Sequence, residues 1–244
     1  MQTGQPRALI ACLDAMDARR FAEALGRAGY EPVGAVRSFS EVLPKLRACQ
    51  CELLLAEAVL PGGDGVALAR SIAGAALNLY PHALLTAMPG FKLPGEGALY
   101  GLGAARIDAP PTAQAIADAV AALDERAHVL PEYRASRLRA LMDRLGVPGH
   151  PGRDMLMCAS ALVWRDRRRL DNLRDRVYPG AGKPFGKTGP QAERAIRHVI
   201  EAAWRTGEID EQQRIFGDTI DARRGRPTCS EMIAQLADIL RWEG

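Results

Sequence analysis

Over residues 7–126 short apolar runs alternate with stretches of helical periodicity. Residues 8–13, 33–36, 53–56, 83–86 and 105–107 read as strands. Between them, helical spacing recurs at 17–28, closed by Gly29, and at 40–48 with Ser40 as its cap. A dense turn signal, Pro61-Gly62-Gly63-Asp64-Gly65, precedes a third helix at 66–73, and Thr112 caps a fourth that reaches about Arg126. The weakest segment is 88–103. It carries Pro89, Gly90, Pro94, Gly95, Gly97, Gly101 and Gly103, so any helix there is expected to be short or frayed. Five strands with interleaved helices predict an α/β unit with a parallel sheet wound on both faces. Continuous apolar runs such as Leu53-Leu54-Leu55 are what a sheet covered on both faces requires.

Beyond this unit the strand pattern stops. Residues 127–135 read as a linker, with Pro131 breaking any helix that precedes it. Helical patterns follow at 136–145, 154–164, 167–177, 190–206, 212–216 and 230–242, separated by Gly and Pro. The expected organisation is an α/β domain over 1–126, the linker over 127–135, and an all-α domain over 136–244.

Composition narrows the function classes. A chain of 244 residues, 48% hydrophobic and 25% charged, sits at the globular average, which excludes disordered, collagen-like and coiled-coil classes. No stretch approaches the ~20 apolar residues of a membrane span, and the first ten residues lack the layout of a signal peptide, so a cytoplasmic protein without membrane contact is expected. The five cysteines (Cys12, Cys49, Cys51, Cys158, Cys229) have neither zinc-site nor disulfide spacing, in keeping with a reducing compartment. Charge is unevenly divided. Residues 1–126 hold 11 Lys and Arg against 13 Asp and Glu, a balance of −2, whereas 127–244 hold 21 against 16, a balance of +5. The second half is therefore the side suited to a polyanion, unless the charges are simply a solvated face.

Ligands of open parallel sheets bind beyond the carboxyl ends of the strands. There the chain places Asp14 after the first strand, Glu57 after the third, Thr86-Ala87 after the fourth and Ala109-Pro110 after the fifth. This order resembles a response-regulator receiver domain over about residues 7–126. The resemblance implies a flavodoxin-like fold of strand order 2-1-3-4-5, and a site in which an acidic pair, a phosphoacceptor Asp, a Thr or Ser and a Lys before Pro surround magnesium. The chain departs from it at four positions. Leu13-Asp14 stands for the acidic pair, Glu57 for the acceptor Asp, Ala109 for the Lys, and Arg106 where receivers often carry a switch aromatic. The expectation is a degenerate pocket that takes no phosphate, because in-line transfer depends on positioning that one extra methylene spoils. Glu57 is then either a fixed negative charge in place of a phosphoryl group or a surviving polar residue. Asp14 and Glu57 are the only candidate metal ligands, and neither magnesium, calcium nor any other cofactor is expected. A dinucleotide reading of Gly101-Leu102-Gly103 fails, since that segment follows the wrong strand and lacks the third glycine. With no nucleophile and base pair, metal cluster or cofactor loop, an enzyme is not expected.

The most informative helix is 190–206. Ala192, Ala195, Ile196, Val199, Ile200 and Ala203 form one apolar stripe, while Gln191, Arg194, Arg197 and His198 crowd the opposite side of the first two turns beside Glu193. Arg, Gln and Glu are side chains able to read guanine, adenine and cytosine edges, and a recognition helix presents such residues from its N-terminal end. The same residues could form a solvated face, because Glu193 with Arg197 and Arg197 with Glu201 are spaced for helical ion pairs. The run Glu193-Arg194-Ala195-Ile196-Arg197-His198, with Ile200 to Trp204, Gly207 to Asp210, Phe216-Gly217, Pro227-Thr228 and Ser230 to Arg241, is similar to the C-terminal domain of the stage 0 sporulation protein A family. Leu145 to His150 and Tyr178-Pro179 extend the likeness upstream. It implies a helix-turn-helix transcription regulator that binds double-stranded DNA as a homodimer, with RNA polymerase as a candidate partner. By position, Glu193 and Arg194 would read bases, with Arg197, His198 and Gln191 close by. Lys187, and further out Arg223, Arg224 and Arg226, would serve phosphates. Arg165, Arg167, Arg168 and Arg169 read as a solvated or self-paired face, Trp164, Trp204 and Trp242 as core or contact residues, and His150 as a turn residue. One departure stands out. The support helix near 178–185 reads Pro179-Gly180-Ala181-Gly182-Lys183-Pro184, where Gly costs ~1 kcal/mol and Pro ~3 kcal/mol in a helix interior, so it is expected to be frayed or rebuilt. The competing reading of the chain is a protein-interaction adaptor or decoy with weakened DNA binding.

Overall fold

Strands that are apolar without interruption need cover on two faces. In the computed structural model, which describes residues 4–217 and 225–242, the first of two units (Met1–Ala127) provides it. Strands β1 (Arg7–Ala11), β2 (Glu31–Val36), β3 (Leu53–Glu57), β4 (His82–Ala87) and β5 (Ala104–Asp108) form one parallel sheet of order β2-β1-β3-β4-β5. Leu53 to Ala56 at its centre are fully buried. Helices α1 (Ala15–Arg27), α2 (Phe39–Cys49), α3 (Gly65–Gly74) and α4 (Ala113–Glu125) complete the layers. Phe21 and Leu25 of α1 and Ile116 and Leu123 of α4 pack in one cluster with Ile10, Leu55 and Leu84 of the sheet. The expected strand order and fold class are those observed.

Local chemistry sets the details. Ser38, rather than Ser40, occupies the N-cap of α2. Strand β1 ends at Ala11, and Asp14 caps α1 by accepting from the backbone N–H of Met16 and Asp17 at 2.7 and 3.1 Å. Between β4 and β5 the expected frayed helix is replaced by two single 3-10 turns, Glu96–Ala98 and Tyr100–Leu102, in a segment where Pro89 and Pro94 lack donors and Gly95 and Gly103 take left-handed backbone.

The second unit (His128–Gly244) is helical throughout its described residues. Helix α5 (Glu132–Arg144) starts inside the segment expected as linker. Pro131 opens it rather than ending an earlier one, its carbonyl accepting from Arg134 and Ala135 at 2.9 Å. After α6 (Pro151–Arg165), the single helix expected over 167–177 is instead a 3-10 stretch, Arg167–Asn172, and one turn, α7 (Leu173–Arg176). The side chains of Asp166 and Asn172 accept the N–H groups of Arg168 and Asp175, and these local bonds interrupt a continuous helix. Then come α8 (Tyr178–Gly182), a 3-10 turn Lys183–Phe185, α9 (Gly189–Thr206), α10 (Ile209–Phe216) and α11 (Cys229–Trp242). Among the described residues no helix is long and apolar enough to cross a membrane.

Helices α6, α8 and α11 surround the buried stripe of α9. Trp164 lies in this core, Trp204 meets the Phe216 ring edge-on at 5.1 Å, and the Trp242 side chain lies outside the described residues. Buried Arg241 donates to the Val163 and Trp164 carbonyls at 2.5 and 2.7 Å, satisfying acceptors at the C-terminus of α6.

Two glycines set how closely α9 is held. A Cβ on Gly152 of α6 would stand 2.3 Å from the Ala195 carbonyl oxygen, and one on Gly182 of α8 would stand 2.5 Å from that of Lys187 and 3.2 Å from Ala192 Cβ. The Gly- and Pro-rich segment is therefore rebuilt as one helical turn and one 3-10 turn, with Ala181 and Gly182 buried. Residues costly in an isolated helix are the ones that let backbone meet backbone. We expect Gly152→Ala and Gly182→Ala each to destabilise the second unit by about 1–3 kcal/mol. Gly149→Ala, whose Cβ meets nothing within 4 Å, should change stability little. Thermal unfolding of the three variants, followed by tryptophan fluorescence, checks this, all three tryptophans lying in the second unit.

Candidate functional site

Helix α9 starts from reciprocal capping: Gln191 Oε1 accepts from the Thr188 N–H at 2.9 Å, and Thr188 in turn faces the N–H of Gln191. Pro190 in the first turn sacrifices no hydrogen bond. Ala192, Ile196, Val199, Ile200 and Ala203 are buried at 2% exposure or less, so the helix cannot rotate without exposing its core stripe. Lys187, Gln191, Arg194, Arg197 and His198 are consequently turned to the surface, with Glu193 half-buried.

These side chains are not equivalent. Glu193 pairs with Arg197 one turn on and raises its already high pKa, so Arg197 remains charged with its fork partly occupied. Gln191 uses its carbonyl oxygen for the cap, leaving the amide NH₂ for an outside acceptor. Arg194 and Lys187 make no side-chain hydrogen bond or ion pair among the described residues, and with His198 and Gln191 they line one surface concavity. The His198 ring lies 5.6 Å from that of His150, which is more than a turn residue: its Nδ1 caps α6 by accepting from the Gly152 N–H at 3.1 Å.

The remaining basic candidates have internal partners or lie outside the described residues. Arg226 pairs with Glu201 at 2.8 Å, and Arg223 and Arg224 belong to the second group. Arg167 pairs with Asp238, Arg168 with Asp166, and Arg169 donates to the Arg176 carbonyl. Buried Arg165 lies over the Trp164 ring and donates to Val129. Arg167, Arg168 and Arg169 are thus self-paired, one of the two arrangements expected, whereas Arg165 is buried rather than part of a face.

In the first unit the strand ends bring Asp14, Glu57, Thr86 and Ala109 around one cleft. Glu57 Oε2 accepts from the Leu13 N–H at 2.9 Å, and Asp14 Oδ1 is committed to the α1 cap. The buried Thr86 hydroxyl donates to the Ala56 carbonyl at 3.2 Å. Arg106 turns to Asp108 and the Met88 carbonyl at 2.9 and 3.3 Å. Cys12 beneath is pushed up to about 12 by burial and by the Glu57 carboxylate, which keeps it a thiol at neutral pH. Two carboxylates that each already accept backbone N–H groups, beside an alkyl side chain at Leu13, do not fit a magnesium ion that demands six well-placed oxygens. No group of three or more potential metal-ligating side chains occurs among the described residues.

Two features escaped the sequence reading. The capping roles of Asp14, His150 and Gln191 were signalled by their positions ahead of, or three residues into, a helix. The exposed apolar side chains around the first-unit cleft were signalled only by apolar residues standing just past strand ends.

Residues 138–240 match the family model described as sporulation initiation factor Spo0A C terminal. Among solved structures, a response regulator from Chloroflexus aurantiacus J-10-fl is similar at 23% identity, covering 49% of this chain and 98% of that one with a TM-score of 0.42. A CheY-like receiver domain from Methylobacillus flagellatus is 18% identical, over 49% of this chain and 99% of its own, with a TM-score of 0.44. Residues 138–240 are thus similar to the Spo0A C-terminal family, and a parallel α/β unit of strand order 2-1-3-4-5 stands ahead of them in the chain.

Proposed function

We propose that this chain is a transcription regulator that grips double-stranded DNA by laying the N-terminal half of α9 in a major groove. The observation that carries the proposal is Arg194: an exposed guanidinium in the second turn, without a partner among the described residues, on a helix whose opposite face is locked in the core. A forked donor held in that way can meet the two acceptors of guanine. Lys187, ahead of the helix, and His198, one turn beyond Arg194, suit phosphate contacts that position without reading sequence. Glu193 suits cytosine, and Arg197 becomes available to the backbone once Glu193 is drawn toward a base. The Gln191 amide group remains free to donate. Two copies on paired sites, contact with RNA polymerase and a cytoplasmic location complete the reading, on the strength of the family.

The first unit, in this proposal, works without phosphorylation. Glu57 already bonds the Leu13 N–H, its extra methylene displaces the carboxylate from where an aspartate would stand, and Ala109 offers no cation to a phosphoryl group.

Selection from a random duplex library should enrich one motif. Gel shifts on the enriched duplex should weaken by orders of magnitude between 50 and 200 mM salt, where a protein with several phosphate contacts loses ~10³-fold or more. Arg194→Ala should cost about 1–3 kcal/mol and relax specificity at one base, whereas Lys187→Ala should weaken all duplexes alike and lower the salt slope by about 1. Absence of any enriched motif would sink the DNA reading. Incubation with acetyl phosphate and magnesium, followed by intact mass, should leave the chain unmodified, and a stable phosphate on residues 1–127 refutes phosphorylation independence.

A further inference from the structure

The carboxyl ends of β1, β3 and β4 open into a cleft of about 640 Å³, within the usual range of small-molecule sites. Its walls are apolar for a surface: Leu13, Val59, Met88 and Phe91 remain 56, 59, 69 and 43% exposed around it. Single exposed apolar side chains are ordinary, but four converging on one concavity keep a sizeable apolar area in water at a free-energy cost that only an occupant relieves.

The charge of the cleft is as specific as its walls. Glu57 and Asp14 accept backbone N–H groups, yet neither meets a cationic side chain among the described residues. Arg20 lines the same cleft but pairs with Asp17 at 3.0 Å. Thr86 spends its hydroxyl hydrogen on Ala56, and Ala109 and Pro110 close the wall with hydrocarbon. Two carboxylates without a counter-ion thus lie beside bare apolar surface, where the low polarity of the walls strengthens attraction for a cation.

The geometry points to a binding site for a small organic cation, its ammonium group bonded to Glu57 within reach of Asp14 and its hydrocarbon or aromatic body against Leu13, Met88 and Phe91. An anion of the same shape meets two negative charges, and a neutral analogue gains only the walls. The site lies wholly in the first unit and is independent of the α9 reading, so either can fail alone.

Methionine-methyl spectra of the full chain, labelled with ¹³C at its seven methionines, test this with 2-phenylethylammonium as the probe and Met88→Leu to assign the signal. The Met88 resonance should move saturably with the amine, and not with 3-phenylpropionate or 2-phenylethanol at equal concentration. Glu57→Gln keeps an oxygen for the Leu13 N–H and should weaken the amine by about 10-fold or more, as loss of a charge-assisted bond does. The proposal is overturned by no saturable movement, by equal movement with the carboxylate or the alcohol, or by an unchanged affinity in Glu57→Gln. Broadening of Met88 with rising protein concentration that the amine does not reverse also overturns it, and marks a second copy of the chain as the occupant.

Discussion

The orientation of α9 depends on a backbone-to-backbone approach. Gly152 brings α6 against the Ala195 carbonyl of α9, and Gly182 brings α8 against Ala192 of α9 and the Lys187 carbonyl just ahead of it, at distances that leave no room for a side chain. With α9 pinned from two sides and its apolar stripe buried, the direction of Arg194 follows from packing rather than from any bond that Arg194 makes itself. Orientation obtained in this way costs the charged side chain none of its donors. A guanidinium held by an internal carboxylate would have to lose that partner before binding a base, and the cost of exchange would lower affinity.

The distribution of charge across the second unit follows the same logic. Most of its arginines are spent internally: Arg241 on the end of α6, Arg144 and Arg214 on Glu211, Arg167 on Asp238. Glu211, held by two guanidiniums, has its pKa lowered to about 2 and stays ionised throughout the physiological range. What remains exposed near the start of α9 is a small set, in which Glu193 serves as a local counter-charge. Because Glu193 and Arg197 are both accessible to water, their attraction is screened and the pair can open without a large penalty.

The first unit shows how little its sheet depends on the groups at its rim. Its sheet is held by apolar burial and needs no charge at the carboxyl ends of the strands, so Leu13, Glu57 and Ala109 can occupy positions around the cleft without disturbing the strands behind them. The polar groups that remain have been absorbed into the fold, Asp14 as a helix cap and Glu57 as the acceptor for Leu13. A carboxylate bonded to backbone N–H groups is pre-organised as an anion, which suits it to attract a cation.

Five strands and the inward and outward faces of α9 were legible in the sequence, because periodicity reports burial directly; the strand order was implied only by the resemblance to receiver domains. Self-pairing of Arg167 to Arg169 was one of two outcomes the sequence left open, and their partners, among them Asp238 and the Arg176 carbonyl, were set by the fold. The boundaries at Pro131 and 167–177 were not, since a proline can open a helix as readily as close one and Asp166 and Asn172 act through local bonds that composition does not reveal. Most instructive is 179–184. Propensity counts the cost of Gly and Pro within one helix, whereas the gain lies in what Gly182 permits between two, and that gain exists only once α8 and α9 are brought together. In the same way the sequence determined which polar side chains share the outer face of α9, but only tertiary packing decided that Arg194 has no partner among the described residues, Arg197 is shared with Glu193 and Gln191 is half committed to a cap, because partners are chosen by distance in space and not along the chain.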